Sequence, residues 1–129
     1  MRASRPGRVF EAGPDHLVCD GRVVAPLTVA ETARTRRRGL LGTSSVQGAL
    51  WITRCPSVHM MGMRYPIDVA VLDRTGRVLH RATLSAPFGL TRPRLRAGST
   101  VEAAAGSMEG WGIEVGSRLA IERAESVEE

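Results

Sequence analysis

Two predicted β-hairpins constrain the fold of this chain more than any other feature of its sequence. In residues 17–24, LVCDGRVV, the pair Asp20-Gly21 separates two short apolar runs, and Asp-Gly supplies the positive φ angles of a two-residue hairpin turn. In residues 66–84, PIDVAVLDRTGRVLHRATL, a turn that ends at Gly76 separates two further apolar runs. Gly76 suits the left-handed position of a bulged loop. Both segments therefore predict paired antiparallel strands.

The remaining segments predict further strands and a single helix. In ETARTRRRGLL, Thr32 can cap a helix of about two turns, and Gly39 can end it in a left-handed turn. Near the end of the chain, VGSRLAIERA alternates polar and apolar residues as a half-buried strand does, and residues 100–103 predict another strand. Because strands outnumber helices and are separated by Gly and Pro, we expect a mainly β fold: an antiparallel β-sandwich or jelly-roll-like barrel with one short helix.

The 129 residues, of which 43% are hydrophobic, suffice for one compact domain. We expect a flexible N-terminal arm over residues 1–13, a single β domain over 14–124 and an acidic C-terminal tail over 125–129. Residues 86–99 predict a long irregular loop. Neither a signal peptide nor an apolar run of the ~20 residues that span a bilayer is present, so we expect a soluble, cytoplasmic bacterial protein that has no membrane partner.

The net charge of +5 comes from the first half of the chain, which contains ten arginines and four acidic residues. All 18 basic residues are arginine. The five aromatic residues are not interleaved with these arginines, as a surface that stacks nucleic-acid bases would require. We therefore do not expect nucleic acid as a partner.

The segment CPSVHMMGM, residues 55–63, concentrates the side chains of a thiol or soft-metal site. In an extended strand, Cys55 and His59 lie about 13 Å apart, which is too far for a nucleophile and its base. Copper(I) prefers thiolate and thioether ligands, with occasional imidazole. His59 and Met61 would share one face about 7 Å apart, and a bulge at Gly62 would bring Met63 to the same face. The alternative is a strand that packs in the core and carries no site. Cys19 and Cys55 are expected to be thiols, although the sequence leaves a disulfide between them open.

The predicted strand PIDVAVL carries apolar residues on both faces and one carboxylate, Asp68. A buried carboxylate needs a partner, and Arg36, Arg64 or the backbone amides beside Pro66 are the candidates.

These residues also carry a resemblance to a known family. Residues 32–41, 55–73, 101–106 and 112–119 together resemble the family called Domain of Unknown Function 192 over residues 23–121. The family pattern places its characteristic residues at Arg36, Pro66, Asp68 and Glu102. Before the proline, this chain has Val-His-Met-Met-Gly-Met where many members have Phe-Trp-Met-Lys-Asn-Thr, which is typical of a Cys, His and Met-Arg subgroup. The resemblance implies a mainly β sandwich of jelly-roll type and no known reaction.

We therefore expect a small non-enzymatic domain that binds a small polar ligand or a protein partner, without a cofactor. Its predicted pocket contains Arg36, His59, Asp68 and Glu102. The alternative is a copper-binding or thiol-redox protein that uses Cys55, His59, Met61 and Met63. An enzyme is the third hypothesis, and the sequence offers it no nucleophile paired with a base.

Overall fold

The computed structural model describes residues 7–94 and 96–125. Nine strands and two short helices follow in chain order: β1 (Arg8–Glu11), β2 (Asp15–Cys19), β3 (Arg22–Ala30), α1 (Ala33–Arg38), β4 (Thr43–Gln47), β5 (Ala49–Ile52), β6 (Ile67–Leu72), β7 (Val78–Leu84), β8 (Ser99–Ala104), α2 (Ser107–Gly110) and β9 (Leu119–Glu122). The expectation of a mainly β fold is confirmed. No helix in these ranges has the length and apolarity needed to cross a membrane.

Seven strands form one curled sheet in the order β7-β6-β8-β5-β3-β2-β9, and β1 pairs with β4 in a separate two-stranded sheet. The two edges of the large sheet meet at one end, where Arg77 bridges Arg118 and the Leu119 amide donates to the Gly76 carbonyl at 2.8 Å. This contact partly closes the curled sheet and protects the end of two edge strands. Two pairs, β1-β4 and β3-β5, are parallel, whereas the expected sandwich was antiparallel throughout.

Both predicted hairpins are present. Asp20 and Gly21 have φ angles of 49° and 82°, as the two-residue turn between β2 and β3 requires. Between β6 and β7, the Asp73 side chain accepts hydrogen bonds from the amides of Thr75 and Arg77, and Gly76 has a φ of 90°. Local turn chemistry therefore fixes the register of both pairs.

Two apolar clusters cover the two faces of the sheet. One contains Leu27, Leu72 and Met108, and the other contains Leu40, Ile52 and Val69. All six residues of β6 are buried because both faces of this strand are covered. The two-sided apolar pattern of PIDVAVL is confirmed by this placement.

The structure differs from the sequence expectations at three places. Arg8–Glu11 form β1, where a flexible arm was expected, because Phe10 packs against the second cluster; residues 1–6 and 126–129 lie outside the described ranges. A second helix, α2, follows β8. Residues 55–66 contain no strand beyond an isolated bridge at His59, so the core strand begins at Ile67.

Candidate functional site

Helix α1 carries three consecutive arginines to the candidate site. Thr32 caps the helix, since its hydroxyl accepts from the Thr35 amide at 3.1 Å and its amide donates back to the Thr35 hydroxyl. Gly39 ends the helix with a φ of 48° and a ψ of −127°, which lies outside the left-handed well that was expected. A Cβ atom at Gly39 would lie 3.7 Å from the Glu102 carboxylate. The end of α1 therefore comes close to this buried acid.

Arg36 connects α1 to the segment after β5. Its Nε donates to the Thr53 carbonyl at 2.7 Å, and its Nη2 donates to the Arg54 carbonyl at 2.8 Å. These bonds hold the half-buried guanidinium in place without neutralising its charge, because both acceptors are uncharged.

Glu102 lies in the middle of the large sheet, with β5 on one side and β6 on the other. Its register partners are Leu50 and Val69, and the residue is 5% exposed. Within residues 7–94 and 96–125, no side chain or amide donates a hydrogen bond to its carboxylate. Since each buried side-chain N or O atom that is fully shielded from solvent has a partner in these ranges, the Glu102 oxygens keep some contact with solvent. Burial raises the pKa of Glu102 from its ordinary 4.5 to about 7.

A cavity of about 110 Å³ opens over this carboxylate. We call it the Glu102 pocket and define it by three groups of lining residues: Arg36–Leu41 from the end of α1, Cys55–Met63 from the loop after β5, and Glu102 with Ile52 from the sheet. Arg37 and Arg38 also line it, and both are exposed to solvent. Their position before the helix-ending Gly39 is the signal that could have identified them.

The loop after β5 brings the predicted soft-metal ligands to the pocket. Cys55, His59, Met61 and Met63 all line it. A turn closed by the hydrogen bond from the Met63 amide to the Met60 carbonyl, at 2.9 Å, places Met60 in the core and leaves Met61 72% exposed. A turn, and not a bulged strand, thus changes the direction of the chain here.

The Cys55 thiol is a protonated neighbour of the pocket. Its Sγ donates to the Ser57 carbonyl at 3.1 Å, and burial raises its pKa. Cys19 belongs to the other apolar cluster, and both cysteines are free thiols. The disulfide that the sequence left open is not formed.

Asp68 does not share the pocket with the other predicted residues. It pairs with Ala103, one position from Glu102, so its side chain lies on the opposite face of the sheet. The carboxylate accepts from the Thr83 hydroxyl at 2.6 Å and from the Met108 amide at 3.0 Å. Its partners are therefore not Arg36, Arg64 or the amides beside Pro66, as the sequence suggested, and its role is to hold the start of α2.

A larger cavity, of about 280 Å³, shares Arg38 and Gly39 with the Glu102 pocket and extends along β1 and β3. Its threonines are already bonded: Thr28 to Gly13, and Thr43 to Tyr65. The smaller cavity is thus the better candidate, because it is lined by a largely buried carboxylate to which no described residue donates a hydrogen bond.

Two solved structures resemble this fold. A protein of unknown function from Novosphingobium aromaticivorans is 18% identical, with a TM-score of 0.67 and a coverage of 83% of each chain. A proposed transcription regulator from Sinorhizobium meliloti is also 18% identical, with a TM-score of 0.67 and a coverage of 84% of this chain and 95% of its own. At this identity the likeness shows the fold alone. No curated protein sequence matches the chain. A model of the family DUF192, described as an uncharacterized ACR, matches residues 17–121.

Proposed function

Because that family model covers most of the chain, the protein belongs to the DUF192 family of uncharacterised proteins, and on this premise we propose that it is a non-enzymatic domain that binds a small polar ligand in the Glu102 pocket. One observation carries the proposal. Glu102 is 5% exposed, its carboxylate lines a cavity of about 110 Å³, and no described residue donates a hydrogen bond to it.

Asp68 provides an internal comparison for this argument. It is as buried as Glu102, at 4% exposed, and it accepts hydrogen bonds from Thr83 and Met108. Such pairing is what a buried carboxylate with a structural role requires, since an unpaired one costs free energy of folding. Glu102 has no such pairing among the described residues, and its oxygens keep only some contact with solvent at the cavity, so it bears part of that cost. A ligand that bonds to its carboxyl group would recover part of this cost.

The thiol chemistry of the site favours binding over catalysis. A cysteine nucleophile reacts as the thiolate, which needs a lowered pKa and an adjacent base. Burial raises the pKa of Cys55, and its proton is directed to the Ser57 carbonyl. Within the described residues, His59 makes no hydrogen bond to this thiol.

A screen of small polar fragments by amide NMR tests the proposal. We expect one or more fragments to give saturable shifts at pocket residues such as Gly39, Cys55 and Val58. Glu102→Leu, which replaces the carboxyl group by an apolar side chain, should abolish these shifts. Glu122→Leu is the matched control, because it removes an exposed strand glutamate. If no fragment shifts the pocket amides, or if the binding fragments shift other surfaces, the proposed function is wrong.

Soft-metal binding is the second candidate function. It is supported by the meeting of one thiol, one imidazole and two thioethers, from Cys55, His59, Met61 and Met63, around a single cavity. No group of three or more His, Cys, Asp or Glu side chains close enough to bind a metal ion occurs in the described ranges, so the methionines would have to complete the ligand set. An anaerobic copper(I) titration distinguishes the two candidates. Metal binding that Cys55→Ser loses and Cys19→Ser keeps would support the copper site, and equal behaviour of both variants would exclude it.

A further inference from the structure

We propose, as an extension that rests on this proposed function, that the Glu102 pocket binds a small anion, a carboxylate or another oxyanion, and that Glu102 binds a proton as the anion enters.

The charges around the pocket favour an anion. Arg36, Arg37 and Arg38 line it, and Glu102 is its one acidic lining residue. Both ion pairs formed by the described residues belong to Arg123, so none of these three guanidinium groups is paired with an acid there. The Nε and Nη2 of Arg36 bond to carbonyl oxygens, which leave its positive charge in place. A cation entering this pocket would face three positive charges and at most one negative charge.

The position of Asp68 determines whether the pocket favours an anion or a cation. With Asp68 and Glu102 together, the pocket would hold two carboxylates and would suit a cation. Asp68 instead lies on the other face of the sheet, bonded to Thr83 and Met108. One carboxylate then remains, and burial already favours its neutral form by raising its pKa to about 7.

The neutral form of Glu102 gives the anion a hydrogen bond. A protonated carboxyl group has one O–H donor, whereas a carboxylate has none and would repel an incoming anion. The side chain forms no competing hydrogen bond with the described residues. An anion that accepts from this O–H group would also be attracted by the arginines, so binding of the anion and of the proton should favour each other.

Of the other titratable groups near Glu102, Cys55 and Tyr65 do not change their protonation state near neutral pH. The pKa values of Cys55 and Tyr65 are both raised, above ordinary values of 9.0 and 10.0, so these groups stay protonated. The neighbouring strands present apolar Leu50 and Val69 beside Glu102. His59 is the remaining titratable group of the lining, and its contribution can be removed by His59→Gln.

The size of the pocket limits the anion. Since an apolar cavity of about 150 Å³ holds benzene, which has six non-hydrogen atoms, a cavity of about 110 Å³ accommodates roughly four. Acetate has this size and is a suitable probe, with methylammonium as the cationic probe and sodium chloride as the control for ionic strength.

Amide NMR titrations with sodium acetate at about pH 6 and about pH 8.5 test the inference. With a pKa of about 7, the protonated fraction of Glu102 falls about thirtyfold between these pH values, so the acetate affinity of the wild type should fall by about the same factor. Glu102→Gln retains an N–H donor and should bind acetate with an affinity that does not change with pH. Glu122→Gln and His59→Gln should keep the pH dependence of the wild type.

Three outcomes would overturn the inference. Binding of methylammonium in place of acetate would make the pocket a cation site. If the wild type binds acetate with equal affinity at both pH values, anion binding is not coupled to protonation of Glu102. If neither probe shifts the amide resonances of the pocket residues, the pocket does not bind a small anion. In each of these cases the proposed function can still be tested separately by the fragment screen, because the screen includes neutral ligands.

Discussion

Replacement of Glu102 by Gln should change the pH dependence of stability in a direction that the structure fixes. The pKa of Glu102 is raised in the folded state, to about 7 from 4.5. Below about pH 4.5 the group is protonated in both the folded and the unfolded chain, so it imposes no ionisation cost on folding. Between the two values the unfolded chain ionises while the folded chain stays protonated. Folding stability is therefore lost as pH rises through this window.

The size of the effect follows from the same shift. Each pKa unit corresponds to about 1.36 kcal/mol, and the difference between 4.5 and about 7 corresponds to about 3 kcal/mol. Relative to the Gln variant, the wild type should therefore lose about 3 kcal/mol of unfolding free energy between pH 4.5 and pH 7, and little more above it. The 5% exposure of Glu102 means that solvent screens little of this effect.

Urea denaturation of wild type and Glu102→Gln at intervals from about pH 4 to about pH 9 measures the difference. Other carboxylates titrate equally in both proteins, so subtraction removes their contribution. Glu122→Gln is the control, and its difference from the wild type should stay flat because Glu122 is exposed. A flat difference for Glu102→Gln as well would refute the reasoning, since it would mean that the buried group ionises with an ordinary pKa.

Three further variants test the framework around the pocket by urea denaturation. Asp68→Ala should cost about 3 kcal/mol, because it leaves the Thr83 hydroxyl and the Met108 amide without their acceptor, and a cost below about 1 kcal/mol would contradict that role. Thr32→Ala should cost about 1 kcal/mol by removing the cap of α1, and no change would mean that the cap is unimportant. Gly76→Ala should cost about 2 kcal/mol more than Gly21→Ala: both glycines have a positive φ, but only at Gly76 would a Cβ atom overlap a backbone oxygen, that of Leu119. Equal costs would exclude the overlap as the cause.

The mainly β fold could be predicted because its evidence is local. The turn between β2 and β3 depends on two adjacent residues, Asp20 and Gly21, and the capped helix depends on Thr32 and Gly39. Helix α2 has no such local evidence. Its N-cap residue, Gly106, has no side chain to cap it, and the carboxylate of Asp68, 40 residues from Met108, accepts from the Met108 amide. Strand β1 likewise depends on a tertiary partner, β4.

The candidate site could be predicted only in part, because the sequence shows which polar residues are present but not which face of the sheet each of them occupies. Arg36, His59 and Glu102 line one pocket, as the sequence suggested. Asp68 does not, because a strand turns adjacent positions to opposite faces, and the register of β6 against β8 pairs Asp68 with Ala103. The sequence contains both carboxylates but not the register that separates them, so it could not determine the charge of the pocket.

This separation also explains why the two carboxylates should respond differently to replacement. Asp68 is bonded on its side of the sheet, and its loss should weaken the fold. Glu102 has no hydrogen-bond partner within the described residues, and because burial disfavours its charged form, its replacement should strengthen the fold at neutral pH. If replacing Glu102 makes the fold more stable, folding stability does not explain why this residue is present. The ligand contact proposed above would account for it, because proteins retain destabilising polar groups where a ligand uses them. The opposite signs expected for Asp68→Ala and Glu102→Gln at pH 7 are therefore the most direct evidence that stability measurements could give for a binding site at Glu102.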